Sequence, residues 1–183
     1  MITFVTSNRH KFEEVSAIFN DAGIELSWEQ MKYEEIQADT TEEVSRNSCI
    51  KLIGQIHGDF FIEDTGLFID SLKGFPGVYS SYVQKTIGND GIIRLLKDRP
   101  DNAMFKTVLT AYINGTIKQF TGILEGSIAS DERGEGGFGY DPVFIPSGYG
   151  KTLSEMDLTE KNRVSHRFRA VKGLVESLAR NDH

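Results

Sequence analysis

The sequence predicts an α/β fold, a single domain whose mixed β-sheet is flanked by helices. Three observations carry that reading: a strand–helix–strand opening, two long apolar runs joined by Asn114-Gly115, and a strongly amphipathic stretch near the end. The first implies parallel pairing, the second antiparallel pairing, and the third a helix packed on the shared sheet.

In chain order, residues 2 to 6 read as a short buried strand, and Thr6, Ser7 and Asn8 offer caps for a helix starting near Arg9. Phe12, Val15, Phe19 and Ala22 give that helix an apolar face, Gly23 ends it, and Ile24 to Trp28 is extended. Thr40 and Glu43 have the spacing of a capping box, which starts a second helix at Thr40 or Thr41. Its apolar face is Cys49, Leu52, Ile53 and Ile56, and it stops near Gly58. Phe60 to Ile62 and Leu67 to Ile69 bracket Glu63, Asp64, Thr65 and Gly66, so these polar positions lie within or at the end of an extended segment. Gly74-Phe75-Pro76-Gly77 makes a turn and Ile87 to Leu96 a helix. Residues 103 to 113 and 116 to 125 are antiparallel strands, because Asn-Gly between apolar runs is the strongest short hairpin signal. Asp131 to Gly139 is a glycine-rich loop, Val143 to Ile145 a strand, and Val164, Phe168, Val171, Val175 and Leu178 the buried stripe of a long final helix.

The 183 residues are 39 % apolar with twelve Phe, enough for a real core and too polar for a membrane protein. The single cysteine, Cys49, can make neither an internal disulfide nor a cysteine-based zinc cage, and the N-terminus has no signal-peptide pattern. A cytoplasmic protein is expected. The net charge of -7 disfavours nucleic acid as a partner, yet residues 161 to 172 carry +5 and leave -12 for the rest. A small anionic ligand met at one spot suits that pattern; pairing with the surplus carboxylates is the other reading.

Two motifs fail on inspection. Gly134, Gly136 and Gly139 satisfy G-x-G-x-x-G, but Tyr140-Asp141-Pro142 follows where a helix should receive a pyrophosphate. Gly150-Lys151-Thr152 imitates the end of a P-loop, but its first glycine falls on Ile145.

Chemistry gathers elsewhere. Asn8 and Lys11 straddle a strand–helix junction, where unpaired N–H groups and the helix dipole favour an anion. Glu63 and Asp64 point to opposite faces of an extended segment, so only one enters a given pocket. Asp64, beside Thr65-Gly66, is the better candidate for binding Mg2+ and for orienting or deprotonating water, with a second oxygen from the loop of Glu34, Glu35 and Asp39. Cations crowded at the start of the final helix oppose its dipole at about 0.3 to 1 kcal/mol each, so Lys161, His166 and Arg167 need a negative partner.

These residues resemble a known family. Thr6-Ser7-Asn8-Arg9-His10-Lys11, Glu63-Asp64-Thr65-Gly66-Leu67, Gly74-Phe75-Pro76-Gly77, Phe138-Gly139-Tyr140-Asp141-Pro142, Glu160-Lys161-Asn162 and Ser165-His166-Arg167 occur in the order seen in the inosine triphosphate pyrophosphatase family. The resemblance spans nearly the whole chain. It implies a Mg2+-dependent hydrolase that splits ITP, dITP, XTP and similar nucleotides into monophosphate and pyrophosphate. It also implies a homodimer of α/β subunits, each a two-lobed single domain with a central nucleotide-binding cleft. By motif, Thr6, Ser7, Asn8, Arg9, His10 and Lys11 hold phosphates, Asp64 is metal ligand and proton acceptor, and Thr65 contacts substrate. Phe138, Gly139, Tyr140 and Asp141 resemble the base-binding loop, completed by Lys161, His166 and Arg167. Glu35 resembles the second metal ligand, with Glu34 its rival. Ser81-Tyr82-Val83 lacks the basic residue often found there.

Overall fold

The computed structural model describes residues 1–97 and 100–181, which build a seven-stranded mixed sheet. Strand β1 (Ile2–Val5) pairs in parallel with β2 (Leu26–Glu29) and with β3 (Phe60–Ile69). Strands β4 (Pro76–Gly77), β5 (Asp101–Ile113), β6 (Thr116–Ile128) and β7 (Phe144–Pro146) add the antiparallel part. The order is β2-β1-β3-β5-β6-β7, with β4 also on β3. At the hairpin tip Asn114 and Gly115 take φ of 49° and 77°, the paired left-handed conformation that an Asn-Gly turn supplies.

The paired strands β5 and β6, at 13 residues each, span about 44 Å and hold the two lobes together. In one lobe α1 (Arg9–Asp21) and α6 (His166–Asn181) cover one face of the sheet, where Phe4, Val15, Phe19, Phe61, Leu109 and Val171 pack together. Helix α2 (Thr41–Leu52) covers the other face over Val5, Phe60 and Ile62. The second lobe joins α3 (Ser80–Thr86) and α4 (Gly88–Leu95) to β7 and the far ends of β3, β5 and β6 through Leu67, Ile92, Phe105 and Phe144. Among the described residues no helix is long and apolar enough to cross a membrane.

Several elements depart from the sequence reading. On α2 the N-cap forms, with the Glu43 N–H donating to Thr40 Oγ1, but the capping box stays half-made because the Glu43 carboxylate accepts from the Thr40 hydroxyl rather than its N–H, and the helix ends at Leu52 and exposes Ile53. On α1 the buried stripe uses Ile18 rather than Ala22, which is exposed, and it includes the carboxylate of Glu14. Helix α3 was not expected: it has seven residues and no side-chain cap. Tertiary bonds hold it, since Ser80 Oγ donates to the Gly77 carbonyl while accepting from the Leu67 N–H, and Tyr140 Oη donates to the Ser80 carbonyl. The Gly74–Gly77 turn contains β4, and Gly66 permits its approach, because a Cβ there would lie 2.7 Å from the Gly77 carbonyl oxygen.

The expected single final helix is two. Helix α5 (Leu158–Val164) stops at Ser165, whose extended backbone restarts the chain as α6 with its hydroxyl accepting from the Phe168 N–H. Gly122 on β6 lets the start of α6 lie against the sheet, since a Cβ there would overlap the His166 carbonyl oxygen at 1.9 Å. Lys161 therefore stands in the last turn of α5, where a cation suits the dipole, and only His166 and Arg167 stand in a first turn.

Candidate active site

Strand β3 has an edge that is paired at both ends and open in the middle. Strand β1 pairs with it as far as Phe61, and β4 begins at Leu67. The interval from Ile62 to Gly66 faces a cavity of about 430 Å³, beyond the carboxyl end of β1 and beneath the second lobe. Residues from both faces of β3 reach the cavity past this open edge, including Asp64, Thr65 and Leu67. Tyr33 Oη donates to the Glu63 carbonyl at 3.2 Å, satisfying one backbone group that β1 leaves free.

The floor at the β1–α1 junction comes from Thr6, Ser7, Asn8 and Lys11. Trp28 Nε1 donates to the Thr6 carbonyl at 2.8 Å, the Asn8 N–H donates to Thr6 Oγ1 at 3.1 Å, and Asn8 Oδ1 accepts from the Lys11 N–H. The first N–H groups of α1 are thus presented at a fixed site, the arrangement that binds phosphate. Arg9 does not line the cavity; it is exposed and pairs with Glu13 at 2.9 Å. His10 is likewise outside the lining, and its ring stacks on Phe138 at 5.4 Å.

Glu63 and Asp64 do part to opposite faces. Glu63 turns toward α1 and α6, where Lys11 Nζ lies 3.0 Å away and Arg167 Nε and Nη2 donate to its carboxylate. Burial alone would raise the Glu63 pKa, but the Arg167 and Lys11 charges overturn that and hold it at about 2. Asp64 turns toward the α2 side and meets no such cation pair. Its Oδ2 is buried and without a hydrogen-bond partner, and burial pushes its pKa up to about 7, against the pull of Lys11 and with help from Glu35. An orphaned carboxylate oxygen costs free energy unless a cation or proton joins it.

Glu35 lines the same cavity, whereas the Glu34 carboxylate is 86 % exposed and pairs with Lys51 at 3.2 Å. Asp64 and Glu35 are a two-carboxylate, all-oxygen donor set, and no cluster of three or more His, Cys, Asp or Glu ligands occurs among the described residues. That set fits Mg2+, which keeps several waters and takes one or two carboxylates together with substrate phosphates.

Lys161 and Arg167, two of the cations of the final segment, are committed to carboxylates. Lys161 is 3 % exposed, does not line the cavity, and lies 2.5 Å from Glu14 Oε1 and 2.6 Å from Asp141 Oδ2. Arg167 joins Glu63 to Glu14 and also borders the cavity. A buried ionic chain therefore runs Lys11–Glu63–Arg167–Glu14–Lys161–Asp141. The negative partner that the first turn of α6 requires is the protein's own surplus carboxylate, the second of the two sequence readings. Glu14 was missed because a single acid on an amphipathic helix carries no motif; its place beside Ile18 on the buried stripe is the only signal.

The remaining wall combines Phe138, Gly139, Tyr140, Asp141 and His166 with Gln84, Lys85 and Phe105. Asp141 Oδ2 accepts from the Phe138 N–H at 2.8 Å and fixes the loop. Lys161 Nζ and the Arg167 guanidinium carbon lie 5.0 and 5.6 Å from the Phe138 ring centre. His166 stacks on Phe105, is held neutral by burial and by Arg167, and leaves Nδ1 without a partner. The site thus joins a helix N-terminus with a lysine, a carboxylate pair and an aromatic wall with free polar groups.

The sequence profile of the Ham1 family matches residues 2–177. This chain belongs to the Ham1 family. It is 48 % identical to the dITP/XTP pyrophosphatase of Thermococcus kodakarensis over 98 % of each chain, and 48 % identical to that of Pyrococcus horikoshii over 98 % of this chain and 97 % of the other. Among solved structures, a HAM1 protein from Coxiella burnetii superposes with a TM-score of 0.84 at 27 % identity, covering 98 % of this chain and all of that one.

This Ham1 chain gathers Thr6, Ser7, Asn8, Lys11, Glu35, Asp64, Thr65, Phe138, Gly139, Tyr140, Asp141, His166 and Arg167 around one cavity, and leaves out Arg9, His10 and Lys161. Lys32, Tyr33, Gln84 and Lys85 also line it and were not expected. Lys85, on the unforeseen helix α3, brings a positive charge to the segment whose Ser81-Tyr82-Val83 lacks one.

Proposed function

We propose that this Ham1 protein is a Mg2+-dependent nucleoside-triphosphate pyrophosphatase acting on dITP, ITP, XTP and dXTP. It cleaves between the α and β phosphates, releases the nucleoside monophosphate and pyrophosphate, and keeps these non-standard purines out of nucleic acids. The observation that carries the reading is the unpartnered Asp64 oxygen, which shares a cavity with Glu35, Lys11 and the N-terminus of α1. The activity by which the Thermococcus kodakarensis and Pyrococcus horikoshii relatives are named, dITP/XTP pyrophosphatase, agrees with it.

The N–H groups at the start of α1 and Lys11 bind the polyphosphate, with Lys11 held in place by Glu63. Asp64 and Glu35 would hold the metal, which would supply charge neutralisation at the phosphates and polarisation of water. The Asp64 carboxylate is also placed to accept a proton, and no covalent nucleophile is required. The base lies against the Phe138–Asp141 loop. His166 and the loop N–H groups donate to a 6-oxo group and would meet the amine of adenine donor against donor. The protein works as a cytoplasmic homodimer.

A substrate panel assayed for pyrophosphate release tests the proposal. Turnover of dITP and XTP far above that of ATP, GTP and CTP, and dependent on Mg2+, is the expected outcome; equal turnover of all five rejects it.

A further inference from the structure

The Phe138–Asp141 loop is gripped from two sides. One grip is Asp141, tied to Lys161 and to the Phe138 N–H. The other comes from the second lobe, where the Gly139 carbonyl accepts from Gln84 Nε2 at 2.9 Å and from Asn89 Nδ2 at 3.1 Å. Gln84 belongs to α3 and Asn89 to α4, so two helices converge on one carbonyl. The contact also fixes which way each amide points, because reversing either would set oxygen against oxygen.

Gly139 needs such an anchor. Its φ is +64°, nothing lies within 4 Å of where a Cβ would stand, and Gly134, Gly136 and Gly137 precede it closely. A glycine peptide in such surroundings has little conformational preference of its own. Two donors on one carbonyl oxygen engage both of its lone pairs, so this acceptor, on a residue that lines the cavity, is withdrawn from use.

We infer that Gln84 and Asn89 are positioning residues for base selectivity, which act by occupying the Gly139 carbonyl. This rests on the reading that the base lies against the Phe138–Asp141 loop. Hypoxanthine and xanthine carry no exocyclic amine, whereas adenine carries one at the 6-position and guanine one at the 2-position. With the 6-position at the donors of His166 and the loop, a guanine 2-amine brought to Gly139 meets a carbonyl already engaged and goes unpaired, a penalty that hypoxanthine and xanthine escape. With the carbonyl released, the same wall offers the amine an acceptor. Asn89 is 7 % exposed and does not line the cavity, so its influence on the base passes through Gly139. Gln84 is half-buried at the wall and acts on the same atom.

The test compares kcat/KM for ITP, GTP and ATP in the wild type, Asn89→Ala and Gln84→Leu, with thermal melting as the check of fold. The expected result is a fall of about tenfold in the ITP:GTP ratio in each variant, arising mainly in KM for GTP, with the ITP:ATP ratio unchanged because adenine is rejected at its 6-position. Proportional loss on all three substrates with the ratios intact overturns the inference and leaves the two side chains as struts. Where Asn89→Ala does not fold, Gln84→Leu, at the partly exposed wall, decides alone. A wild type that does not prefer ITP refutes the proposed function and takes the selectivity role with it, so the two failures are told apart by the wild-type row.

Discussion

Glu63 and Asp64 are neighbours in sequence and opposites in circumstance. Both sit on the open edge of β3, yet Glu63 has two cations within reach and a pKa of about 2, while Asp64 keeps a buried oxygen without a partner and a pKa of about 7. The difference arises from strand alternation: one face of β3 meets α1 and α6, which bring Lys11 and Arg167, and the other meets the α2 side, which brings Glu35. One carboxylate is satisfied within the fold and organises it. The other is left unsatisfied, and the fold tolerates that cost at the place where a ligand can offset it.

Activity separates the pair most widely. Asp64→Asn lowers Mg2+-dependent pyrophosphate release about a thousandfold or more while the protein remains folded, as steady-state assays with circular dichroism would record. Near-normal turnover would remove Asp64 from the chemistry.

Stability separates them in the other direction. Glu63→Ala leaves Arg167 and Lys11 short of a buried counter-charge and costs about 3 to 5 kcal/mol in denaturant unfolding. A loss below about 1 kcal/mol would contradict the assignment of Glu63 as the centre of the ionic chain.

The pH dependence of stability sharpens the contrast because the two signs differ. Glu63 is depressed from 4.5 to about 2, so its contribution is complete above about 4.5 and disappears as pH falls toward 2, by about 3 kcal/mol. Asp64 is raised from 3.8 to about 7, so without metal it destabilises the fold as pH rises through that interval. Metal-free Asp64→Asn therefore loses less stability between pH 4 and pH 7 than the wild type. Parallel melting profiles of the two proteins would refute the raised value.

A smaller effect belongs to the floor at the β1–α1 junction. Asn8→Ala removes the cap of α1, costs about 1 kcal/mol of stability and raises KM for the triphosphate more than it lowers kcat. A change confined to kcat would place Asn8 outside substrate binding.

The opening strand, the capped helices and the Asn-Gly hairpin were legible because each is fixed by local chemistry: cap spacing, apolar periodicity and a turn that demands left-handed residues. The division of Glu63 from Asp64 was legible for the same reason, since strand alternation needs no tertiary knowledge. Helix α3 was not, because its stability comes from Ser80 bonding across to Gly77 and Leu67 rather than from its own seven residues. The break at Ser165 was hidden by an apolar stripe that continues through it from Val164 to Phe168. Lys161 was visible as a cation but not as one already paired, because Glu14 and Asp141 are 147 and 20 residues away in the chain. The same distance in sequence concealed Gln84 and Asn89, whose shared acceptor Gly139 lies 55 and 50 residues onward.

Metal binding itself gives the most direct check on the contrast between the two carboxylates. Mn2+ titrated into the protein with pyrophosphate present, followed by electron paramagnetic resonance, should bind the wild type and bind Asp64→Asn at least tenfold more weakly. Equal affinity in both proteins would show that the unpaired oxygen on β3 is not where the cation is held.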